Sequence, residues 1–269
     1  MYLAAVILKL KAAGKGSLPE SHGRLLHAAF LNYVRGCSGE MSAQLHDEAS
    51  KSFSLSSLRL KIKPADKVYA VVQGTEAQWR ICALGDTAVQ ALLQLKQGAV
   101  LRIGQVNFVI DDVLCSPELF PGTGVTSSDE LRAYCESLSM ADRVTIGFVS
   151  PASFRVYDKD YPFPKPELVF GSLADRWNRV EGEQVYDTGK IKEIASAYLI
   201  PDNWKGETRR VYFGRGHEIT GFTGSFSYRL NLLPPEYRAL FAALAEFGSY
   251  AGVGRLTAQG LGQVRVRWQ

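Results

Sequence analysis

Strand-like and helix-like segments alternate along this chain, and the second half repeats the order of the first in broad outline. Apolar residues recur every second position in the strand-like segments and at three- and four-residue spacing in the helix-like ones. In the first half these segments follow one another at about residues 2–12, 20–35, 38–48, 53–60, 67–73, 78–83, 86–96 and 99–112. The resulting order β-α-(α)-β-β-α-β is typical of a ferredoxin-like fold.

A stretch rich in turn-forming residues, at about 116–130, separates the two halves. Beyond it we predict helices at about 128–139, 168–179 and 236–248, and strands at about 142–150, 153–157, 193–201, 208–213, 220–231 and 261–268. The fold class is therefore predicted to be α+β. We expect two tandem ferredoxin-like (RRM-like) domains, residues 1–125 and 126–269.

The composition is that of an ordinary globular protein, since 46% of the residues are apolar and 22% are charged. A net charge of +4 is compatible with an anionic partner such as nucleic acid. Apolar and polar residues alternate at the N-terminus, which is typical of a strand with one solvent-exposed face and not of a signal peptide. No run of about 18 apolar residues occurs, so we expect no transmembrane helix and no membrane partner.

Cysteine and histidine spacings argue against a metal site. The four cysteines form no CxxC pair, and we interpret them as reduced core thiols of a cytoplasmic protein. The histidines His22, His27, His46 and His217 form neither HxxxH nor HExxH. We therefore predict no metal and no cofactor, and we expect His22 and His217 at the surface.

Four glycines near the C-terminus, Gly252, Gly254, Gly260 and Gly262, mark a loop between a predicted helix and a predicted strand. A dinucleotide-binding loop runs from strand to helix instead, so this loop lacks the phosphate-binding helix N-terminus. Its approachable backbone N–H groups, together with Arg255, suit the phosphate backbone of RNA. A glycine-rich hairpin without a ligand is the alternative.

Basic residues supply further candidate contacts to RNA. On the predicted helix 20–35, Arg24, His27 and Arg35 share a stripe beside the apolar one. The candidates in the second half are Arg209, Arg210 and Arg215, with Arg265 and Arg267 on one face of the last strand. A solvated charged face is the alternative for each of them.

Ordered motifs in both halves resemble one known family. They are Leu26-His27-Ala-Ala-Phe, Leu45-His46-Asp47, Lys51-Ser-Phe53-Ser, Ser150-Pro-Ala-Ser-Phe154-Arg, Phe163-Pro-Lys-Pro-Glu-Leu-Val-Phe170, and the glycine loop followed by Val264-Arg-Val. In this order they are similar to the CRISPR-associated repeat-processing endoribonucleases of the RAMP superfamily. The resemblance covers nearly the whole chain.

That resemblance implies two ferredoxin-like domains and metal-independent cleavage of precursor CRISPR RNA within its repeats. The products would carry a 2′,3′-cyclic phosphate (or a 3′-phosphate) and a 5′-hydroxyl. The family's catalytic histidine in an LH-acidic motif matches His46, and a lysine a few residues on matches Lys51. A tyrosine that some members carry on the first helix falls at Leu31, with Tyr33 nearby. From its place on the basic stripe, His27 is a further catalytic or RNA-contacting candidate, and a surface histidine is the alternative. The implied partner is precursor CRISPR RNA, with effector-complex subunits or a second copy of this chain as further candidates.

The chemistry of this cleavage suits the residue types. The attacking 2′-hydroxyl needs a base, the leaving 5′-oxygen needs a proton or a cation, and the phosphorane needs positive charge. Histidine titrates near neutral pH, and lysine is a compact charge. The alternative function is a non-catalytic RAMP-type subunit that binds guide RNA, although the histidine in the LH-acidic position favours the enzyme. A 2′,5′-phosphoesterase would need paired HxT or HxS motifs, which none of the four histidines forms.

Overall fold

The computed structural model describes residues 1–47, 51–213 and 218–269, and the chain divides into two compact units. The N-terminal unit consists of Tyr2–Val125 and Ala258–Gly260. The C-terminal unit consists of Met1, Thr126–Thr257 and Leu261–Gln269. Three residues close to the C-terminus therefore belong to the N-terminal unit.

The N-terminal unit combines one large sheet and a separate two-stranded sheet with helices. Its strands are β1 (Tyr2–Ala12), β2 (Gly16–Pro19), β3 (Phe53–Leu55), β4 (Arg59–Leu60), β5 (Val68–Val71), β6 (Glu76–Leu84), β7 (Val100–Ile103) and β8 (Val106–Leu114). Its helices are α1 (Gly23–Cys37), α2 (Gly39–Asp47) and α3 (Asp86–Leu93). A short strand, β9 (Gly124–Ser127), follows at the point in the sequence where the second unit begins.

Alternation along β1 buries one face of this sheet under the helices. Leu8 and Leu10 of β1 are buried beside Trp79 and Ala77 of β6, their antiparallel neighbours. Helix α1 covers the same core with the apolar stripe Leu26, Ala29, Phe30 and Val34, as its spacing predicts. The main strands lie in the order β3-β6-β1-β8-β7.

The C-terminal unit has the same plan. Its strands are β10 (Arg143–Ala152), β11 (Phe154–Val156), β12 (Lys159–Tyr161), β13 (Ile200–Tyr212), β14 (Glu218–Arg229) and β15 (Val264–Trp268). Its helices are α4 (Ser128–Ser137), α5 (Pro166–Glu181), α6 (Thr188–Tyr198) and α7 (Pro235–Ala251). Aromatic contacts join α5 to α7, since the ring centroids of Phe170 and Phe241 are 5.0 Å apart and those of Trp177 and Phe247 are 4.8 Å apart.

The two sheets share one strand order. In each sheet, four strands correspond to the four strands of a β-α-β-β-α-β unit. Across both sheets, the second of these strands comes first, followed by the third, the first and the fourth: β3-β6-β1-β8 in the N-terminal unit and β13-β14-β10-β15 in the C-terminal unit. Each unit is therefore ferredoxin-like, and the predicted α+β class with two tandem domains of this fold is confirmed.

The predicted strand at 193–201 is wrong, because most of this segment lies in helix α6. The carboxylate of Asp187 caps that helix by accepting from the backbone N–H of Lys190 at 3.0 Å. Ile191, Ile194 and Ala195 then become buried on one helical face, at the three- and four-residue spacing of a helix. Two of the four cysteines also differ from their expected core position, since Cys37 and Cys115 are exposed while Cys82 and Cys135 are buried.

Within the described residues, we find no helix with both the length and the apolar character needed to cross a bilayer.

Candidate functional site

His27 occupies the edge of the apolar stripe of α1. Its neighbour Leu26 is fully buried, whereas the His27 ring is only partly buried. The ring stacks on Phe53 of β3, with centroids 5.4 Å apart and planes inclined by 29°. Phe53 in turn packs against Phe30, at 5.0 Å between centroids. The core of the N-terminal unit therefore fixes one face of this imidazole.

One ring nitrogen of His27 is held by the backbone. Its Nδ1 lies 3.1 Å from the carbonyl oxygen of Ala258, which also belongs to the N-terminal unit. Because a carbonyl oxygen only accepts, Nδ1 carries the proton in this hydrogen bond. The neutral ring then has its lone pair on Nε2, for which the described part of the chain provides no hydrogen-bond partner.

The environment of His27 favours the neutral ring. Burial is the main cause that lowers its pKa below the usual histidine value. The hydrogen bond to Ala258 raises the pKa, and the positive charges of Lys51 and His46 lower it further. At neutral pH the imidazole is therefore a base rather than a cation.

His46 and Lys51 lie where α2 ends, close enough to His27 for their charges to act on it. The His46 side chain is 71% exposed, and its Nδ1 is 3.3 Å from the carboxylate of Asp47. Lys51 donates from Nζ to the backbone carbonyl of His46. His46 is therefore open to a ligand, and three of the predicted site residues form one electrostatic cluster, which we call the His27 cluster (His27, His46 and Lys51).

Tyr33 and His22 serve the local structure. The Tyr33 hydroxyl donates to the carbonyl of Gln94 at 2.7 Å, and burial raises the pKa of this phenol. The prediction that His22 lies at the surface is wrong, since only 2% of it is exposed. Its Nδ1 donates to Pro19 O at 2.9 Å and its Nε2 accepts from Leu58 N at 2.9 Å. His22 therefore bridges three segments of the N-terminal unit.

The predicted arginines on α1, β13 and β15 are exposed. Arg24 and Arg35 lie on α1, and Arg35 donates to Asn32 at 2.8 Å. Eleven residues separate them, which places them on one side of the helix about 17 Å apart. On β13, Arg209 pairs with Glu207 at 2.7 Å and Arg210 with Glu218 at 3.8 Å. Arg215, like His217, lies outside the described residues, and the last strand exposes Arg265 and Arg267.

The glycine loop makes many bonds within its own unit. Val253 N donates to Gly262 O at 2.8 Å, and Arg255 N donates to Ser153 O at 2.9 Å. A Cβ on Gly254 would lie 2.4 Å from Ser153 O, so only glycine permits this approach. The guanidinium of Arg255 pairs with Asp160. The RNA-binding role of Gly252, Gly254, Gly260, Gly262 and Arg255 stays a prediction.

Sequence reasoning missed two partners of His27. Phe53 belongs to the motif Lys51-Ser-Phe53-Ser, but nothing in that motif indicates that its ring supports His27. The Ala258 carbonyl has no sequence signal, because a backbone oxygen is common to all residues and this one is 231 positions away.

Among the described residues, no three His, Cys, Asp or Glu side chains come together in a way that could hold a metal ion.

Two sequence models of one family match the chain: the CRISPR Cas6 N-terminal domain over residues 4–128 and the CRISPR-associated endoribonuclease Cas6 over residues 146–264. A Cas6 endoribonuclease from Mycobacterium tuberculosis is 26% identical over 122 residues, or 45% of this chain and 38% of the relative. One from Streptococcus thermophilus is 23% identical over 201 residues, or 73% of this chain and 78% of the relative. The match thus spans about two fifths of the mycobacterial relative's length and most of the streptococcal one's.

A solved structure gives the same result for the fold. A Cas6 product complex superposes with a TM-score of 0.75 and 25% identity, over 99% of this chain and 100% of that chain. Because the two family models lie one in each half of the sequence and together cover most of it, the chain belongs to the Cas6 family of CRISPR-associated endoribonucleases.

Proposed function

We propose that this protein is an endoribonuclease that cleaves precursor CRISPR RNA within its repeats, by attack of an internal 2′-hydroxyl and without a metal. The products carry a 2′,3′-cyclic phosphate and a 5′-hydroxyl. The observation that carries this proposal is the His27 cluster, in which a histidine of lowered pKa lies beside a second histidine and a lysine. Family membership and the similarity to a Cas6 product complex support the choice of substrate.

His27 is the residue best suited to act as the base. Its Nδ1 is occupied by Ala258 O, its ring is fixed on Phe53, and its pKa favours the neutral form. Nε2 can therefore accept the proton of a 2′-hydroxyl that lies within hydrogen-bond distance. The nucleophile belongs to the substrate itself, so the main task of the protein is to orient it in line with the phosphorus.

His46 and Lys51 provide the positive charge. Lys51 is a compact cation tied by its Nζ to the end of α2, and His46 is largely exposed at the same place. Negative charge that develops on the phosphorane and on the leaving 5′-oxygen is stabilised by such groups. In their protonated form, either of them can donate a proton to the leaving oxygen.

RNA beyond the cleavage site is expected to contact exposed arginines. Arg24 and Arg35 of α1 lie on the helix that carries His27, and Arg209 and Arg210 lie on β13. These guanidinium groups suit phosphate oxygens. Assembly with effector-complex subunits or with a second copy of the chain stays a prediction.

The test is cleavage of the host's repeat RNA by the purified protein in EDTA, under single-turnover conditions, with mapping of the cut site and its end groups. We expect His27→Ala to slow cleavage about 10²–10⁴-fold, the usual contribution of general acid–base catalysis. His46→Ala and Lys51→Ala are expected to slow it as well, while RNA binding is largely kept. Lys96→Ala removes an exposed lysine elsewhere in the same unit and serves as the control.

Wild-type rates in all three cluster variants would contradict the proposal. A purified protein that binds its repeat RNA but does not cut it would identify the non-catalytic RNA-binding subunit as the better description.

A further inference from the structure

The Ala258 carbonyl oxygen, which accepts the hydrogen bond from His27, belongs to a segment that packs unusually closely against α1. Ala258 lies in a short 3₁₀ helix, Thr257–Gln259, and its side chain is buried in the core of the N-terminal unit. Gly23, one helical turn before His27 on α1, faces the next carbonyl of this segment. A Cβ added to Gly23 would lie 1.8 Å from Gln259 O, so no side chain other than hydrogen fits there.

Gly260 allows a second close approach of the same segment, to Ser57. It has a φ of +87°, and a Cβ at this position would lie 3.2 Å from the Oγ of Ser57. Gly23 thus lets the backbone of Ala258–Gly260 approach α1, and Gly260 lets the same segment approach Ser57. Because Gly23 and His27 are four residues apart, they lie on the same face of the helix. This packing therefore places the Ala258 carbonyl within hydrogen-bond distance of His27 Nδ1.

We infer that the Ala258 carbonyl is the positioning group for His27, holding the proton on Nδ1 and leaving Nε2 as the basic atom. This inference rests on the proposed function. It gives part of the glycine-rich segment a role other than binding RNA: Gly23 and Gly260 allow the approach, and Ala258 selects the tautomer.

A neutral carbonyl suits this role better than a carboxylate would. A base needs an orienting partner on its second nitrogen, and in many hydrolases that partner is an aspartate. A negative partner would favour the charged imidazole and so raise its pKa. The carbonyl raises the pKa too, but burial and the charges of Lys51 and His46 oppose it, and the pKa ends below the usual histidine value.

The first experiment needs no variant that could misfold. Protein labelled with ¹⁵N at histidine is examined by long-range ¹H–¹⁵N correlation at pH 7.5, with the His27 signals assigned by their loss in His27→Gln. We expect the proton on Nδ1. His22 provides an internal reference, because its bonds to Pro19 O and Leu58 N require the same tautomer. A His27 proton on Nε2 would overturn the inference.

The second experiment compares Gly23→Ala with Gly36→Ala. Both substitutions lie on α1, but a Cβ on Gly36 meets nothing within 4 Å, so this variant should keep the wild-type tautomer and rate. We expect Gly23→Ala to show a mixture of His27 tautomers and a single-turnover rate at least tenfold lower, with RNA affinity within about threefold of wild type. A folded Gly23→Ala protein with the wild-type tautomer and rate would count against the inference.

The two readouts also separate this inference from the proposed function. A protein with the Nδ1–H tautomer that cleaves no repeat RNA contradicts the proposed function alone. A protein that cleaves the RNA with its proton on Nε2 contradicts the positioning role alone.

Discussion

Burial lowers the pKa of two histidines at the start of α1, His22 and His27, but the two rings differ in their hydrogen bonds and in their roles. His22 uses both ring nitrogens within the protein, at Pro19 and Leu58, and can only stabilise the fold. His27 uses Nδ1 alone, so its Nε2 can exchange a proton with a ligand. The number of ring nitrogens that the fold occupies distinguishes the structural histidine from the reactive one.

The lowered pKa of His27 predicts the pH dependence of cleavage. The neutral, basic form is retained as the pH falls to 6.5, the usual histidine value, and is lost only below it, at the lowered pKa. Single-turnover rates measured between pH 4.5 and 8 should therefore fall on the acid side with a midpoint below that value. A midpoint above it would show that the base is a different group or that His27 is not shielded.

Protonation of His22 should destabilise the protein at acid pH. Its folded-state pKa is lowered by burial, so the unfolded chain binds more protons in this range. The free energy of unfolding should hold above the unfolded-state pKa of about 6.5 and decline as the pH falls below it. His22→Ala should cost about 3 kcal/mol at pH 8, because it leaves Leu58 N and Pro19 O without their buried partner.

Urea unfolding of both proteins at pH 8 and pH 5.5 measures the effect of His22. The difference between the two pH values should be smaller in the variant than in the wild type. Equal differences would assign the acid sensitivity to other groups.

At the scale of elements, capping and burial decide between helix and strand where the local pattern is ambiguous. The predicted strand at about 193–201 overlaps the second half of α6 (Thr188–Tyr198). The Asp187 cap begins a helix there, and Ile191, Ile194 and Ala195 bury its face. Helix α1 shows the reverse case, since its stripe is unambiguous and the structure follows it.

Removing the cap of α6 should measurably weaken the protein. Asp187→Ala leaves the Lys190 N–H without its acceptor, and we expect a loss of about 1 kcal/mol in the free energy of unfolding. Glu193→Ala is the control within the same helix, because it removes only an exposed ion pair with Lys190 and should cost less than about 0.5 kcal/mol. Denaturant unfolding of the two variants checks this order, and equal losses would contradict the role of the cap.

At the scale of the whole molecule, the chain has two units with the same strand order but different functional side chains. The N-terminal unit holds the His27 cluster and exposes Arg24 and Arg35, whereas the C-terminal unit exposes Arg209 and Arg210 on β13. A shared fold therefore does not imply a shared task, and the function is determined by the side chains placed on it.

Salt dependence tests whether α1 contacts the RNA backbone. If Arg24 and Arg35 each neutralise one phosphate of single-stranded RNA, the double variant Arg24→Ala/Arg35→Ala should reduce the slope of log K against log salt by about 1.4. Arg102→Ala removes an exposed arginine of β7 in the same unit and should leave the slope unchanged. Fluorescence anisotropy between 50 and 300 mM salt measures the slopes, and an unchanged slope in the double variant would exclude these contacts.

Periodicity, together with the turn-rich stretch at about 116–130, was enough for the two-domain α+β class and for most elements, because burial of one face imposes a repeat of two or 3.6 residues on any strand or helix. Residue types and a family resemblance pointed to His27, His46 and Lys51. Two features required the tertiary structure: the burial of His22, and the hydrogen bond between His27 and Ala258. Each depends on which atoms lie nearby in space, and for the last pair the atoms are 231 residues apart in the chain. No local pattern records a contact that exists only after the chain has folded.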